Sequence, residues 1–240
     1  MSSDRFYFRQ LLSGRDFATD DPVAQQMVNF VYAIGDRATS ECVLIDPAYA
    51  VHELLDIVEA DGMKVTGVLA THFHPDHIGG SLGGHYVEGV ATLLERCECP
   101  VHVQRDETPW VTRTSGLTVD QLVQHEGGDV VQVGDIAITL VHTPGHTPGS
   151  QCFHVDGRLV SGDTLFLDGC GRTDFPGSDP AAMYDSLQTL GAMPEGTIVY
   201  PGHRYSQPSS ATIDAIRGSN YVYRPKNKEQ WPVSYTHLRA

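Results

Sequence analysis

Short apolar runs separated by turn residues recur along the whole chain. Phe6–Leu12, Val28–Ile34, Cys42–Ile45, Val65–Ala70, Ile136–Val141, Gln151–Val155, Leu159–Ser161 and Ile198–Tyr200 have the length and the bounding residues of strands. Several are apolar without alternation, which predicts sheets covered on both faces. Helical spacing lies between them. Val51, Leu54, Leu55 and Val58 share one face of Val51–Ala60, and Gly62 stands where a helix end favours glycine. Val87, Val90, Ala91 and Leu94 share a face of Val87–Arg96. Asp179-Pro180 supplies an N-cap and a first-turn proline for a helix over Ala181–Leu190, and Thr212–Arg217 is a last short one. This order predicts a layered α/β domain with its helices outside. No repeat, low-complexity tract or linker breaks residues 1–231, so one domain is expected there.

The pattern stops at the end. Pro232–Ala240 has neither periodicity nor capping residues, and its string VSYTHLRA resembles translated adapter sequence. It reads as a non-native tail, and His237 is left out of the candidate site. Composition narrows the function. Sixteen Lys and Arg against thirty Asp and Glu give a net charge of −14, the wrong sign for tracking a nucleic-acid backbone. No run approaches the ~18 apolar residues of a membrane span. Met1–Phe8 holds charges and no signal region. The five cysteines, at 42, 97, 99, 152 and 170, lack a paired metal or disulfide rhythm. A cytoplasmic protein with reduced thiols is expected.

Histidine carries the chemistry. There are twelve, and they cluster. In Thr71-His72-Phe73-His74-Pro75-Asp76-His77, four metal-competent side chains fall within six residues, just after an apolar strand. His72 and His74 point the same way if the chain is still extended there. Imidazole with carboxylate suits zinc, iron or manganese. Three further candidates follow strands and lie beside glycine or proline: His146, Asp163 and His203. A sheet behind such loops holds side chains rigidly. His52, His85, His102, His125, His142 and His154 read as surface or hydrogen-bonded residues.

The spacing His-x-His-x-Asp-His, followed by a distant His, Asp and His, resembles the metallo-β-lactamase superfamily. The likeness runs from Phe6 to Tyr223. It implies an α/β (α+β) fold, the αββα sandwich, with a metal site at one edge between two sheets. By position it implies that His72, His74 and His146 hold one divalent cation, that Asp76, His77 and His203 hold a second, and that Asp163 bridges them. Zinc is the first expectation, with iron or manganese as the others. Two cations roughly 3.5 Å apart lower the pKa of a shared water towards neutrality and stabilise a developing oxyanion. Asp76 and Asp163 are then the catalytic carboxylates.

No strong separate general acid is evident, which favours leaving groups that depart unprotonated. A thiolate, with a thiol pKa near ~8.5, does so and an amine does not. Gly169-Cys170-Gly171-Arg172-Thr173-Asp174-Phe175 resembles the same segment in glyoxalase II enzymes and, more closely, in persulfide dioxygenases. Both act on adducts of small thiols. Cys170, Arg172 and Thr173 are therefore candidate substrate contacts, with Arg172 able to fork onto a carboxylate or to pair with Asp174, and Cys170 able to line a pocket or, the preferred reading, simply to pack. The helical extension that helps glyoxalase II bind glutathione is not matched within these residues, so the carrier thiol stays open. Segment 83–128 is longer than a persulfide dioxygenase leads one to expect, and reads as a lid or as a peripheral helix and hairpin.

The expected activity is glyoxalase II-like hydrolysis of a thioester or similar activated ester by a metal-bridging hydroxide. The alternative is a persulfide dioxygenase with one Fe(II) on His72, His146 and Asp163, forming sulfite. A lactonase and a non-catalytic metal-bound scaffold complete the set. The expected partner is a small thiol-derived molecule. Neither nucleic acid nor membrane is expected, and a homo-oligomer is compatible with the sequence.

Overall fold

Alternate residues of the central strands belong to two different cores, and this defines the layers. The computed structural model describes residues 5–231; the tail expected at Pro232–Ala240 lies outside them. The elements begin with β1 (Phe6–Leu12), α1 (Pro22–Met27), β2 (Phe30–Asp36), β3 (Glu41–Ile45), α2 (Val51–Ala60), β4 (Lys64–Leu69) and α3 (Pro75–Ile78). A hairpin of β5 (Gly80–Leu82) and β6 (His85–Val87) follows, then α4 (Val90–Arg96), β7 (Val101–Gln104), α5 (Thr108–Ser115) and β8 (Leu122–His125). The second half holds β9 (Val130–Val133), β10 (Ile136–His142), β11 (Gln151–Val155), β12 (Arg158–Gly162), α6 (Pro180–Gly191), β13 (Ile198–Pro201), β14 (Ala211–Thr212) and α7 (Ile213–Ser219).

One sheet has the order β1-β2-β3-β4-β7-β8, and the other β14-β13-β12-β11-β10-β9. Phe30, Tyr32 and Ile34 of β2 face Ile138, Leu140 and Phe153 of the opposite sheet in the central core. Val31 and Ala33 of the same strand turn outward to a core shared with Leu54 and Val58 of α2 and Leu93 of α4. A third core joins Leu159 and Val199 to Leu187 of α6 and Ile216 of α7. The period of two therefore places apolar residues on both faces of each sheet. The layers are helix, sheet, sheet, helix, which is the expected αββα sandwich. Among the described residues no helix is long and apolar enough to cross a membrane.

Two boundaries differ from the sequence reading. β2 starts at Phe30 rather than Val28, because Val28 has φ 49° and ends α1 in a left-handed turn. The helix expected from Val87 starts at Val90. Val87 instead pairs with Gly80 in the hairpin, and at Gly89 a Cβ would lie 2.1 Å from the Ile78 carbonyl oxygen. Segment 83–128 supplies β7 and β8, which extend the first sheet beside β4.

Candidate metal centre

The strands decide which side chains meet. β10 and β12 are both antiparallel to β11, and β12 is parallel to β13. The loops carrying His146, Asp163 and His203 therefore leave the same edge of the second sheet. The loop after β4 meets them there, in the crevice beyond the strand ends where α/β sheets place ligands. Two hydrogen bonds of 2.9 Å tie the edges together, from Gln151 N to Thr71 O and from Gln151 Nε2 to Ala70 O. His74 is still extended, at φ −62° and ψ 143°, and Pro75 then opens α3, which carries Asp76 and His77.

The structure brings together all seven side chains singled out in the sequence. His74 Nδ1 is 3.0 Å from both His72 Nε2 and His146 Nε2. In a second group, His77 Nε2 is 3.2 Å from His203 Nε2, and Asp76 Oδ2 is 3.6 and 3.4 Å from these nitrogens. Asp163 stands between the groups. Its Oδ1 is 3.5 Å from His77 Nε2, and its Oδ2 is 3.4 Å from His203 Nε2 and 3.8 Å from His146 Nε2. Donor atoms around one tetrahedral cation lie roughly 3.3 Å apart, so both groups have the spacing of a coordination shell.

The outer nitrogens of four rings are anchored. His72 Nδ1 is 2.9 Å from Thr71 Oγ1, whose own proton goes to Asp46 Oδ2 at 2.5 Å. His77 Nδ1 donates to Asp46 Oδ2 at 2.9 Å, His146 Nδ1 to Arg172 O at 2.7 Å and His203 Nδ1 to Met27 O at 2.8 Å. These acceptors draw a proton to the outer nitrogen and turn the inner one to the centre, the usual arrangement around a metal-ligating histidine. Asp163 Oδ1 is buried and receives no hydrogen bond. Inward-facing nitrogens at this spacing repel unless positive charge lies among them, and a buried bare carboxylate oxygen demands the same. The donor set fits divalent cations.

Electrostatics separates the groups. Burial, reinforced by the neighbouring imidazoles, holds His72 well below the usual histidine range, and burial pushes His74 down to about 4. The first group is therefore neutral imidazole. At His77 burial also opposes charge, but Asp163 and Asp76 outweigh it and push the ring up to about 10. The second group is acidic and calls for positive charge.

A cavity of about 540 Å³ opens onto this centre, within the range of small-molecule sites. His74, His146, Asp163 and His203 reach it, and Phe166, Phe175 and Tyr205 form apolar walls. Tyr205 stacks on His203 with centroids 4.7 Å apart. Cys170 and Arg172 also line the cavity, whereas buried Thr173 is absent from its lining. Arg172 pairs with Asp174 through contacts of 3.0 and 2.9 Å, and its guanidinium lies 4.4 Å over the Phe175 ring. Of the six histidines read as peripheral, His102 and His125 pair at 2.8 Å and His142 binds Pro148 O at 3.0 Å.

Three supporting residues escaped the sequence reading: Asp46, Asn29 and Glu107. Asp46 had a signal, since Leu44-Ile45-Asp46-Pro47 repeats the strand-end pattern of the other loops. The other two had none. Glu107 is 1% exposed and accepts three hydrogen bonds, from Phe73 N and Thr147 Oγ1 at 2.8 Å and from Gly149 N at 2.7 Å. It ties segment 83–128 to both ligand-bearing loops of the first group.

Burial pushes the Glu107 carboxyl up from 4.5 to about 7, against three donors that favour its charge. Its folded pKa is raised, so its contribution to stability is full below about 4.5 and is lost as pH rises through about 7. Glu107→Gln cannot ionise. On going from pH 5 to pH 8, the wild-type chain should lose roughly 1–3 kcal/mol relative to that variant in urea unfolding of chelator-treated protein. A difference independent of pH would show that the carboxyl is already ionised at pH 5.

Comparison with known proteins follows the same lines. The sequence model of the metallo-beta-lactamase superfamily matches residues 26–203. The hydroxyacylglutathione hydrolase of Rhodopseudomonas palustris (strain ATCC BAA-98 / CGA009) is 34% identical over 218 residues, covering 86% of this chain and 78% of that protein. The crystal structure of ETHE1 from Myxococcus xanthus superposes with a TM-score of 0.78 and 30% identity, covering 98% of this chain and 92% of that one. TTHA1623 in a di-iron-bound form has a TM-score of 0.65 and 29% identity, covering 81% of this chain and 95% of that one.

Proposed function

This chain belongs to the metallo-beta-lactamase superfamily, and from that premise we propose that it is a glyoxalase II-like metallohydrolase that cleaves a thioester of a small thiol. The observation that carries the reading is Asp163, a buried carboxylate set between two groups of donors with the spacing of a coordination shell. Similarity to a hydroxyacylglutathione hydrolase supports the substrate class. The site residues proposed are His72, His74 and His146 for one divalent cation, and Asp76, His77 and His203 for the other, with Asp163 shared. Zinc suits these donors best, and iron or manganese is the alternative. Such cations supply a hydroxide at neutral pH and positive charge for an oxyanion.

The remaining work falls to the chain itself. Asp163 holds the two groups in register. Phe166, Phe175 and Tyr205 exclude water from one side of the substrate and give an acyl or thiol chain an apolar surface. Arg172 is the one Lys or Arg among the described residues lining the cavity. Its side chain is already forked onto Asp174, so an anionic substrate must share it or displace that partner. We propose Arg172 and Cys170 as substrate contacts. Thr173 is proposed only as support for that loop.

A second reading, the mononuclear iron persulfide dioxygenase, is favoured by the Gly169–Phe175 segment and by the extent of the likeness to ETHE1. One pair of assays separates the two. Zinc-loaded protein should hydrolyse an S-hydroxyacyl thioester of glutathione, lose that activity to a chelator and regain it with metal. Iron-loaded protein given glutathione persulfide should take up no oxygen. Rapid uptake with sulfite formation, and no thioester cleavage, would replace the first reading by the second.

A further inference from the structure

The two donor groups differ in charge, and they differ again at Asn29. This residue is 2% exposed and precedes β2. It forms an isolated bridge with His203, flanked by hydrogen bonds from Phe30 N to Gly202 O at 2.8 Å and from Arg204 N to Val28 O at 3.0 Å. The bridge carries its side chain into the second group. Asn29 Nδ2 donates to Asp76 Oδ2 at 3.1 Å and stands 3.3 Å from His77 Nε2 and 3.5 Å from His203 Nε2. One amide nitrogen is thus near all three donor atoms of that group.

The amide orientation is set from behind. Tyr49, 2% exposed, donates its hydroxyl proton to Asn29 Oδ1 at 3.1 Å. Tyr49 is itself held in a left-handed conformation with φ 68°, and its N–H donates to Glu88 O at 2.8 Å. The Asp76 carboxylate, which only accepts, takes the N–H₂ end, and with Tyr49 donating to the oxygen behind it that end faces Asp76, His77 and His203. That end carries the positive pole of the amide dipole. It takes a lone pair of Asp76 Oδ2, and its positive pole repels a cation placed among the three donors. Among the described residues no such amide adjoins His72, His74 and His146, whose outer nitrogens, where anchored, meet Thr71 Oγ1 and Arg172 O.

We infer that Asn29, pinned by Tyr49, weakens cation binding at Asp76, His77 and His203, so that the chain fills its first group well before its second. The inference rests on the two-group reading above and adds the order of loading to it. Asn29 is here a positioning residue. It tunes occupancy by holding an N–H₂ group against the donors.

The test is a titration of metal-free protein with Co(II), read by visible absorption and by ions bound per chain. Wild-type protein should bind one ion tightly and a second at least about tenfold more weakly. Asn29→Ala should tighten the second step by about tenfold and leave the first unchanged. Tyr49→Phe frees the amide to turn its oxygen inward, and should tighten the same step without disturbing the Asn29 backbone bridge. A purely structural role for Asn29 would loosen both steps in both variants. A second step left unchanged or weakened by Asn29→Ala and Tyr49→Phe overturns the inference alone. Failure of every variant to bind a second ion overturns it together with the two-group reading.

Discussion

Asp163→Ala is expected to abolish stable binding of both cations and to lower thioester hydrolysis by at least about 10³-fold in kcat/KM. Asp163 lies close to the inward-facing nitrogens of both groups, at 3.5 and 3.4 Å from His77 and His203 and 3.8 Å from His146. Burial opposes its charge, yet His203 and His77 hold the carboxyl well below the usual range. It is therefore ionised, and its negative charge is the counterpart of whatever positive charge the centre holds. Removing it leaves the all-imidazole group with no inward-facing carboxylate and the second group with that of Asp76. Asp163→Asn keeps the shape and loses the charge, and should bind one ion at most. Metal content after dialysis, measured beside the kinetics, checks the result. Two ions and full activity in Asp163→Ala would remove the bridging role. His77→Ala separates the two functional readings. It should cripple a dinuclear hydrolase, whereas iron on His72, His146 and Asp163 alone would survive it.

Gly202→Ala should be nearly as damaging, although it removes no functional group. A Cβ at Gly202 would lie 2.3 Å from Asp163 Oδ1 and 3.1 Å from His77 Cε1. The backbone there is pinned on both sides, by Gly202 N to Gly162 O and Phe30 N to Gly202 O, each 2.8 Å. It cannot back away, so the carboxylate must. Overpacking of this kind costs about 1–3 kcal/mol of stability. A displacement of about 1 Å at a reacting centre costs about 10²-fold in rate. The expected outcome is a folded protein with a small loss in thermal stability, weakened metal retention and about a hundredfold loss of activity. Gly218→Ala is the control. It is in α7 with open space around it, and should gain about 0.5–1 kcal/mol with unchanged activity. If Gly202→Ala retained wild-type metal content and rate, Asp163 would not be held as described.

Local pattern carried a large share of the architecture. Runs such as Val43, Leu44 and Ile45 signalled a strand covered on both faces, and the structure divides them between two cores: Leu44 towards the helices, Val43 and Ile45 between the sheets. The cap at Asp179 could be read for the same reason. Its carboxylate accepts from Ala181 N and Ala182 N, partners two and three residues away. Element ends were less legible. Val28 ends α1 in a left-handed turn that a β-branched residue does not announce, and Gly89 delays α4 through a close approach to the backbone of Ile78, eleven residues away.

The candidate centre divides in the same way. Side-chain chemistry and strand-end position are properties of the chain, so His72, His74, Asp76, His77, His146, Asp163 and His203 could be singled out before any coordinates. What stands behind them could not. Asn29 reaches the centre because residues 28–30 bridge to 202–204, and Glu107 because segment 83–128 extends the first sheet. The sequence by itself determined which elements form and which groups could bind a cation, because periodicity and donor chemistry are local. Only the tertiary structure decided which nitrogen of each ring faces inward, which amide opposes a cation and which carboxylate is shared. Those depend on contacts between residues up to 176 positions apart, and no local pattern encodes them.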